Sequence, residues 1–507
     1  MRNTVLLLLF VILKIVVQYF VIHTDFELHR DEYLHLDQAH HLAWGYLSVP
    51  PVTSWFSYLI WLLGNDMFWV LFFPALFGAL TIVIVWHTIK ELKGGIYAQL
   101  LAATALIFSA LTRINMLFQP NSFDVLAWTF ICYTLIRYIN TNQNRWLYLM
   151  AMGFGIGFLN KYNIVFLVAG IFPALLFTRN SRILSNGHFY AAGILALIII
   201  SPNLYWQYEN NWPVLHHMQE LNETQLVNVN RGDFIKEQFL FFIGAFFMIP
   251  AALISFLFYV PFKKYRVFFV SFFITLGIFI ALKAKGYYAM GLYPVYMAFG
   301  AVYLEELLQT GKKRFLKPVL VALPILLFVP IAMVAFPIYS PKKTAEITKG
   351  FKGLSKWEDG KEHNMPQDFA DMLGWKAITK LTDKAYNKVS ASGKTLVLCD
   401  NYGQAGAINY YTSISGLQAV TMNADYVNWI DLNKKYTNII LVQNANDDDP
   451  ERKKEQPLFE SVLLFGYLNN PLARENGAKV YILKGAKTDI NTLLKADITD
   501  ERNRWSY

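Results

Sequence analysis

Cysteine is nearly absent from this chain. Its 507 residues include two, Cys132 inside an apolar run and Cys399 in a polar tail. Two thiols so placed predict no disulfide and say nothing about compartment. Charge is scarce as well, at 16% of residues. No P-loop, zinc-ligand spacing or Gly-x-Ser-x-Gly elbow occurs, and there is no internal repeat or low-complexity segment. The common signatures of nucleotide, metal and serine-hydrolase chemistry are therefore missing. From about Ser340 onward the chain also lacks any apolar run long enough to cross a bilayer.

What is present is hydrophobic. The chain is 55% hydrophobic and 16% aromatic, with positive mean hydropathy. Runs of about 20 apolar residues then predict a polytopic α-helical membrane protein. Spans are expected at 4–22, 67–89, 96–112, 123–139, 147–160, 163–178, 188–201, 239–262, 267–282, 287–307 and 318–337, about 11 in all. Met1 to Ile22 has the apolar core of a signal peptide. It lacks a small-x-small cleavage site and is interrupted by Lys14 and Gln18, so it reads as an uncleaved first span. Val52 to Leu63 is too short to cross and is expected to lie along the interface. Two domains follow: a membrane domain over 1–339 with a first external loop at 23–66, and a soluble domain over 340–507.

The formal charge of +9 could suggest nucleic acid, but its placement argues otherwise. Lys90 and Lys93, Arg137 and Arg145, Arg179 and Arg182, Lys263 to Arg266, and Lys312 to Lys317 occupy alternate short loops. Such a bias marks the cytoplasmic side. It puts the N-terminus in the cytoplasm and the C-terminal domain outside.

The outer face then collects the polar residues. His29 to Pro51 (HRDEYLHLDQAHHLAWGYLSVPP) sets Asp31 beside Glu32. Buried in a bilayer these acids would cost several kcal/mol, so they belong at its boundary. A plain solvated loop is the alternative. RINMLFQPNSFD with Arg113 and Asp124, the Asn160-Lys161-Tyr162 turn, and KAKGYY with Lys283, Lys285, Tyr287 and Tyr288 share that face. Outer cations run against the charge bias, and a shared anionic ligand such as a phosphate would explain them. Snorkelling to headgroups is the competing explanation for each one. Asp124 also suits a helix N-cap. The aromatic stretch 201–238, with Trp206, suits an interface belt better than a sugar site on composition alone. His40 and His41 are adjacent and so point apart on a helix, which disfavours a shared metal.

The tail reads as α/β. Thr395 to Cys399, Asn438 to Val442 and Ala478 to Leu483 are expected strands, and Phe369 to Lys380 with the run before Lys388 is expected to be helical. Asn401 to Gly406 follows the first strand, where α/β sheets tend to place ligands.

The Asp-Glu pair with its Ala-x-Gly-Tyr and Pro-Pro run resembles the first external loop of GT-C glycosyltransferases. PNSFD, GFLNKYNIVF, SPNLYWQYENNWPVL, KAKGYYAMGLYPV and DNYGQAGAINYY extend the resemblance over essentially the whole chain. The nearest groups are the aminoarabinose transferases of lipid A, the protein O-mannosyltransferases and the bacterial family-39-type branch. The resemblance implies a polyprenyl-phosphate-linked sugar donor and transfer on the outer face of the bacterial inner membrane. Asp31 would be the general base and Glu32 its helper. Lys283, Lys285, Lys161 and Arg113 would bind the donor phosphate, and Tyr287, Tyr288, Asp124 and Trp206 the substrates. Inversion at the anomeric carbon is expected. No cofactor is required, and a divalent metal is admissible but not expected. Partners would be membrane lipids, the donor, and a lipid A, glycan or protein acceptor, with no nucleic acid. The large lumenal repeat domain of the protein mannosyltransferases is missing, which weakens the case for a protein acceptor. The rival reading is a transporter or flippase for a lipid-linked or anionic solute. It would place charges mid-membrane in related halves, whereas here the polar residues gather at one face and no repeat is seen.

Overall fold

A computed structural model of the chain describes residues 2–224, 229–351 and 353–504. Every segment expected to span is helical over at least part of its length. Among the described residues, Asn3–Phe20, Met67–Glu91, Gly187–Glu209, Val260–Ala281 and Gly311–Ala335 are each long and apolar enough to cross a membrane alone. Ile164–Leu176 joins Arg179–Ser185 at a 106° bend and forms a sixth candidate. Pro120–Thr141 is long enough at 22 residues but less apolar, and the others are shorter or interrupted. The segment expected at 239–262 divides into Arg231–Leu240 and Met248–Phe258.

The polar interruptions of the first helix have an internal cause. Lys14 Nζ donates to Gln18 Oε1 at 3.1 Å and to Thr112 Oγ1 at 2.9 Å, and Gln18 Nε2 donates to the Thr112 carbonyl. A buried amine is tolerable when its donors are satisfied in this way. The stretch 201–238, read as one long loop, is largely helical instead. Gly187–Glu209 runs through Pro202, and Pro213–Thr224 and Arg231–Leu240 follow. Pro202 cannot donate to the Ile198 carbonyl, but the Ser201 hydroxyl donates to it at 2.8 Å, so the helix continues past its expected break.

The C-terminal chain forms a five-stranded sheet. Its strands are β1 (Thr395–Cys399), β2 (Ala419–Thr421), β3 (Asn438–Gln443), β4 (Phe459–Tyr467) and β5 (Lys479–Ala486), in the order β2-β1-β3-β5-β4. β1 pairs in parallel with β2 and β3, while β5 runs antiparallel to β3 and β4. Sequence periodicity located β1, β3 and β5. β2 has only three residues, and β4 is an edge strand whose Leu463 and Leu464 are 54% and 48% exposed. Cys132 and Cys399 are both buried and free, one in a membrane helix and the other at the end of β1.

The first loop lies between the membrane helices and this sheet domain. Glu27 N donates to the Met372 carbonyl at 2.8 Å, Arg30 N to the Asp371 carbonyl, and Leu47 N to Asp425 Oδ1. Asp37 Oδ2 accepts from Asn409 Nδ2 at 2.6 Å and from the Tyr426 hydroxyl at 2.5 Å. At the opposite end, Arg137 pairs with Glu91, and Lys264 Nζ donates to Asn140 at 2.7 Å. The basic loops thus meet one another, away from the first loop.

Candidate active site

Helix Arg30–Asp37 begins at a capping box. His29 Nδ1 accepts from Asp31 N at 3.2 Å, and His29 N donates to Glu32 Oε2 at 2.6 Å. The other oxygen of Glu32 accepts from Phe118 N at 2.6 Å. Glu32 therefore clamps two loops together and is 1% exposed. Burial lifts its pKa to about 6, against the pull of the Phe118 and His29 amides. Adjacent helical residues point in different directions, so with Glu32 turned inward Asp31 faces the other way.

Asp31 opens onto a cavity of about 690 Å³, walled also by Arg113, Asn121, Glu237, Lys285, Tyr287 and Tyr402. Its side chain is 40% exposed to that space. Oδ1 accepts from the Tyr402 hydroxyl at 2.8 Å and Oδ2 from Gln119 Nε2 at 3.1 Å. Burial within the molecule pulls its pKa up, but His29, Arg30 and the Tyr402 hydrogen bond together hold it below the ordinary carboxylate value. Asp31 is thus an ionised acceptor facing an enclosed polar space.

The cations divide into two groups. Arg113 and Lys285 line the cavity, and each has a carboxylate partner from the C-terminal chain. Arg113 pairs with Asp368 at 2.8 Å and Lys285 with Glu358 at 3.8 Å. Lys161 stands one layer behind. Its Nζ donates to Asn121 Oδ1 at 2.6 Å and lies 4.5 Å from the ring centroid of Tyr288 and 5.3 Å from that of Tyr287. Burial lowers its pKa to about 8, with Asp124 opposing the shift. Lys283 closes the helix Arg266–Ala281 in a left-handed conformation, φ 52°, and does not line the cavity.

The remaining candidates lie further off. Asp124 is not a cap: Gln119 holds the N-cap position, and Asp124 accepts from Trp128 Nε1 at 3.0 Å and Asn163 Nδ2 at 2.8 Å. Trp206 packs on Gly45, where an added Cβ would lie 2.3 Å from its ring. The close approach allowed by Gly286 is used within the chain, because a Cβ there would lie 1.9 Å from Glu237 Oε2. His40 meets Trp61 while His41 stacks on Trp429, so the two do diverge. Among the described residues no group of three or more His, Cys, Asp or Glu side chains is gathered as a metal would need.

Sequence reasoning missed Gln119, Glu237, Glu358, Asp368 and Tyr402. Gln119 and Tyr402 lie in stretches already singled out, but only the tertiary fold aims them at Asp31. A second cavity of about 890 Å³ adjoins the first. It is lined by Phe241, Phe328, Ile331 and Phe336, and shares Arg113, Glu237 and Asp368 with the polar cavity. An apolar groove thus leads to the cations.

With this geometry in hand, the comparisons with known proteins are informative. Residues 48–206 match the family model described as dolichyl-phosphate-mannose-protein mannosyltransferase. ArnT from Cupriavidus metallidurans superposes in its apo crystal structure with a TM-score of 0.61 at 12% identity, covering 95% of this chain and 98% of that one. Its complex with undecaprenyl phosphate gives 0.59 at 11% identity, covering 94% and 97%. This chain has the GT-C glycosyltransferase fold. Among curated proteins, the lipid A galacturonosyltransferase RgtD of Rhizobium johnstonii is 27% identical over 207 residues, 39% of this chain. The match spans 43% of that relative's length. In this fold the site lies where the first loop, the helix ends nearest to it and the C-terminal sheet converge, in a multi-pass membrane protein.

Proposed function

We propose that this protein transfers a sugar from a polyprenyl-phosphate-sugar to a lipid A, glycan or protein acceptor at the outer face of the bacterial inner membrane. The observation that carries the reading is the joining of two cavities. A polar one holds ionised Asp31 with Arg113 and Lys285, and an apolar one leads to the same arginine. A polyprenyl tail suits the groove, its phosphate the cations, and its sugar the space before Asp31. About 11 spans, a cytoplasmic N-terminus, an outer domain beginning near Ser340 and alternate basic loops inside complete the proposal.

The acceptor hydroxyl oxygen attacks the anomeric carbon while its proton passes to Asp31. The bond from that carbon to the phosphate oxygen breaks, its electron pair leaves with the lipid phosphate, and the configuration inverts. Arg113 and Lys285 stabilise the charge growing on that phosphate, with Lys161 supporting Tyr287 and Asn121 from behind. Lys283 would add charge only at long range. Glu32 holds the loops, while Tyr288, Asp124 and Trp206 stand off the cavity and would reach the substrates only indirectly. Because phosphate is already a good leaving group, the step requires no metal.

The test uses purified protein in liposomes. Undecaprenyl phosphates carrying galacturonic acid, aminoarabinose or mannose are offered with lipid A, and product is read by mass spectrometry. Transfer from at least one donor, lost in Asp31→Asn, is expected. Absence of transfer from all three in well-folded protein would end this reading. Reporter fusions after Lys93, Arg182, Lys317 and at the C-terminus test the topology, and an inside C-terminus would move the active face.

A further inference from the structure

The C-terminal sheet domain contributes a side chain directly to Asp31. β1 ends at Cys399, Asn401 caps the next helix by accepting from Gln404 N at 3.1 Å, and Tyr402 opens that helix. The helix Tyr402–Tyr411 packs on Arg30–Asp37 more closely than side chains normally permit. A Cβ at Gly403 would lie 2.6 Å from Arg30 Cγ, and one at Gly406 2.7 Å from Tyr33 Cβ. The approach lays the Tyr402 ring under the Arg30 guanidinium, 4.3 Å from its centroid. It also brings the hydroxyl to 2.8 Å from Asp31 Oδ1. A phenol whose ring is held by packing and whose hydroxyl donates to a carboxylate fixes that carboxylate's rotamer.

We propose that Tyr402 is a positioning residue that aims the Asp31 carboxylate into the cavity, so that the C-terminal domain is a working part of the active site. The inference rests on the transferase reading, in which Asp31 receives the acceptor's proton. Gln119 holds the other oxygen from the membrane domain, at 3.1 Å. Asp31 is therefore gripped from both domains at once, and its orientation depends on their being docked. Two points separate this from simple packing. Removing the hydroxyl leaves the ring, its stack on Arg30 and both glycine contacts in place. It also takes away a hydrogen bond to the ionised form, which lets burial raise the carboxyl's affinity for protons. The other groups facing Asp31 are His29, Arg30, Glu32 and His35 on its own segment, Asp368 and Asp371 from the C-terminal chain, and Tyr287. Tyr402→Phe leaves all of them unchanged.

The decisive experiment compares wild type, Tyr402→Phe, Asp31→Asn and the double variant, each full length in liposomes. A carbodiimide that couples to protonated carboxyls is applied across a pH series that extends well below 3.8, and labelling of Asp31 is read by peptide mass spectrometry. Tyr402→Phe should move the labelling midpoint up by about one pH unit. With any donor that is turned over, it should lower kcat about tenfold. Affinity for undecaprenyl phosphate should stay within error, and the double variant should be no slower than Asp31→Asn alone. Gly403→Leu, which separates the helices, should reproduce the labelling shift although Tyr402 is present. Coincident labelling curves for wild type and Tyr402→Phe would overturn the proposal, as would unchanged kcat in Tyr402→Phe. Labelling needs no sugar donor, so loss of the transferase reading and loss of this one are distinguishable.

Discussion

Asp31→Asn keeps the side chain's shape and removes its charge. In the structure one oxygen accepts from Tyr402 and the other from Gln119. An asparagine can keep only one of these contacts as it stands, because its amide nitrogen would face a donor. The site also loses the attraction of His29 and Arg30 for the carboxylate. Weakening two partly exposed hydrogen bonds should cost about 1 kcal/mol of stability. Loss of the base should slow transfer about 10²-fold or more, equivalent to about 2.7 kcal/mol in the barrier. The stability difference has a definite pH dependence. Asp31 is held below its unfolded value of 3.8, so its ionised form stabilises the fold above that value. The advantage disappears as the pH falls through the lower folded pKa. Melting curves of wild type and variant should therefore differ at pH 6 and draw together as the pH falls through the folded value, below 3.8. Initial rates in liposomes, with melting followed by tryptophan fluorescence, measure both effects. A folded Asp31→Asn protein that transfers sugar at near-normal rate would refute the reasoning.

Asp368→Asn removes the counter-charge from Arg113, so affinity for undecaprenyl phosphate should rise about threefold or more in low salt; flotation with labelled lipid would show it, and lower affinity would contradict it. Gly286→Ala forces a methyl group against Glu237 and should lower stability by about 1–3 kcal/mol. Adding Glu237→Ala should recover most of that loss on thermal denaturation, and no recovery would remove Glu237 as the obstacle. Burial lifts Asp37 to about 7, against its hydrogen bonds from Asn409 and Tyr426. Because the folded pKa lies above the unfolded one, stability is greatest at low pH and declines as pH rises toward 7. Asp37→Asn should therefore leave stability unchanged near pH 4 and raise it by about 1–2 kcal/mol at pH 8, after allowance for partial exposure.

The legible parts of this fold were those set by local composition. Apolar runs located the helices, and β-branched runs located β1, β3 and β5, since burial on both faces of a sheet leaves an unbroken apolar word. The span expected to end at 201 runs on through Pro202, where the Ser201 hydroxyl takes the carbonyl the proline leaves unpaired. At the site, Asp31, Arg113, Lys285 and Tyr287 were named from sequence and share one cavity. Lys283 was named with them because charge can be read from sequence but direction cannot. Glu32 and Asp124 looked chemically free, yet backbone amides hold the first and Trp128 with Asn163 the second. Tyr402 lies 371 residues from its partner. No local pattern encodes that distance, and only the glycines that admit its helix leave a trace.

The pairing of the cations follows from electrostatics at the membrane boundary. Arg113 and Lys285 line one cavity, and without partners their like charges would be a local positive excess. Asp368 and Glu358 offset that excess from the C-terminal chain, at 2.8 and 3.8 Å. Neither contact is deeply buried, since the acidic side chains are 61% and 54% exposed. Such pairs are worth roughly 0–1 kcal/mol each, so a phosphate can replace them at little cost. The same two acids lie beside the mouth of the apolar groove. A lipid phosphate arriving along that groove would meet carboxylates that already occupy its place on the cations, and could exchange with them one at a time. High salt should accordingly weaken the docking contacts and phosphate binding together, because both depend on the same two cations.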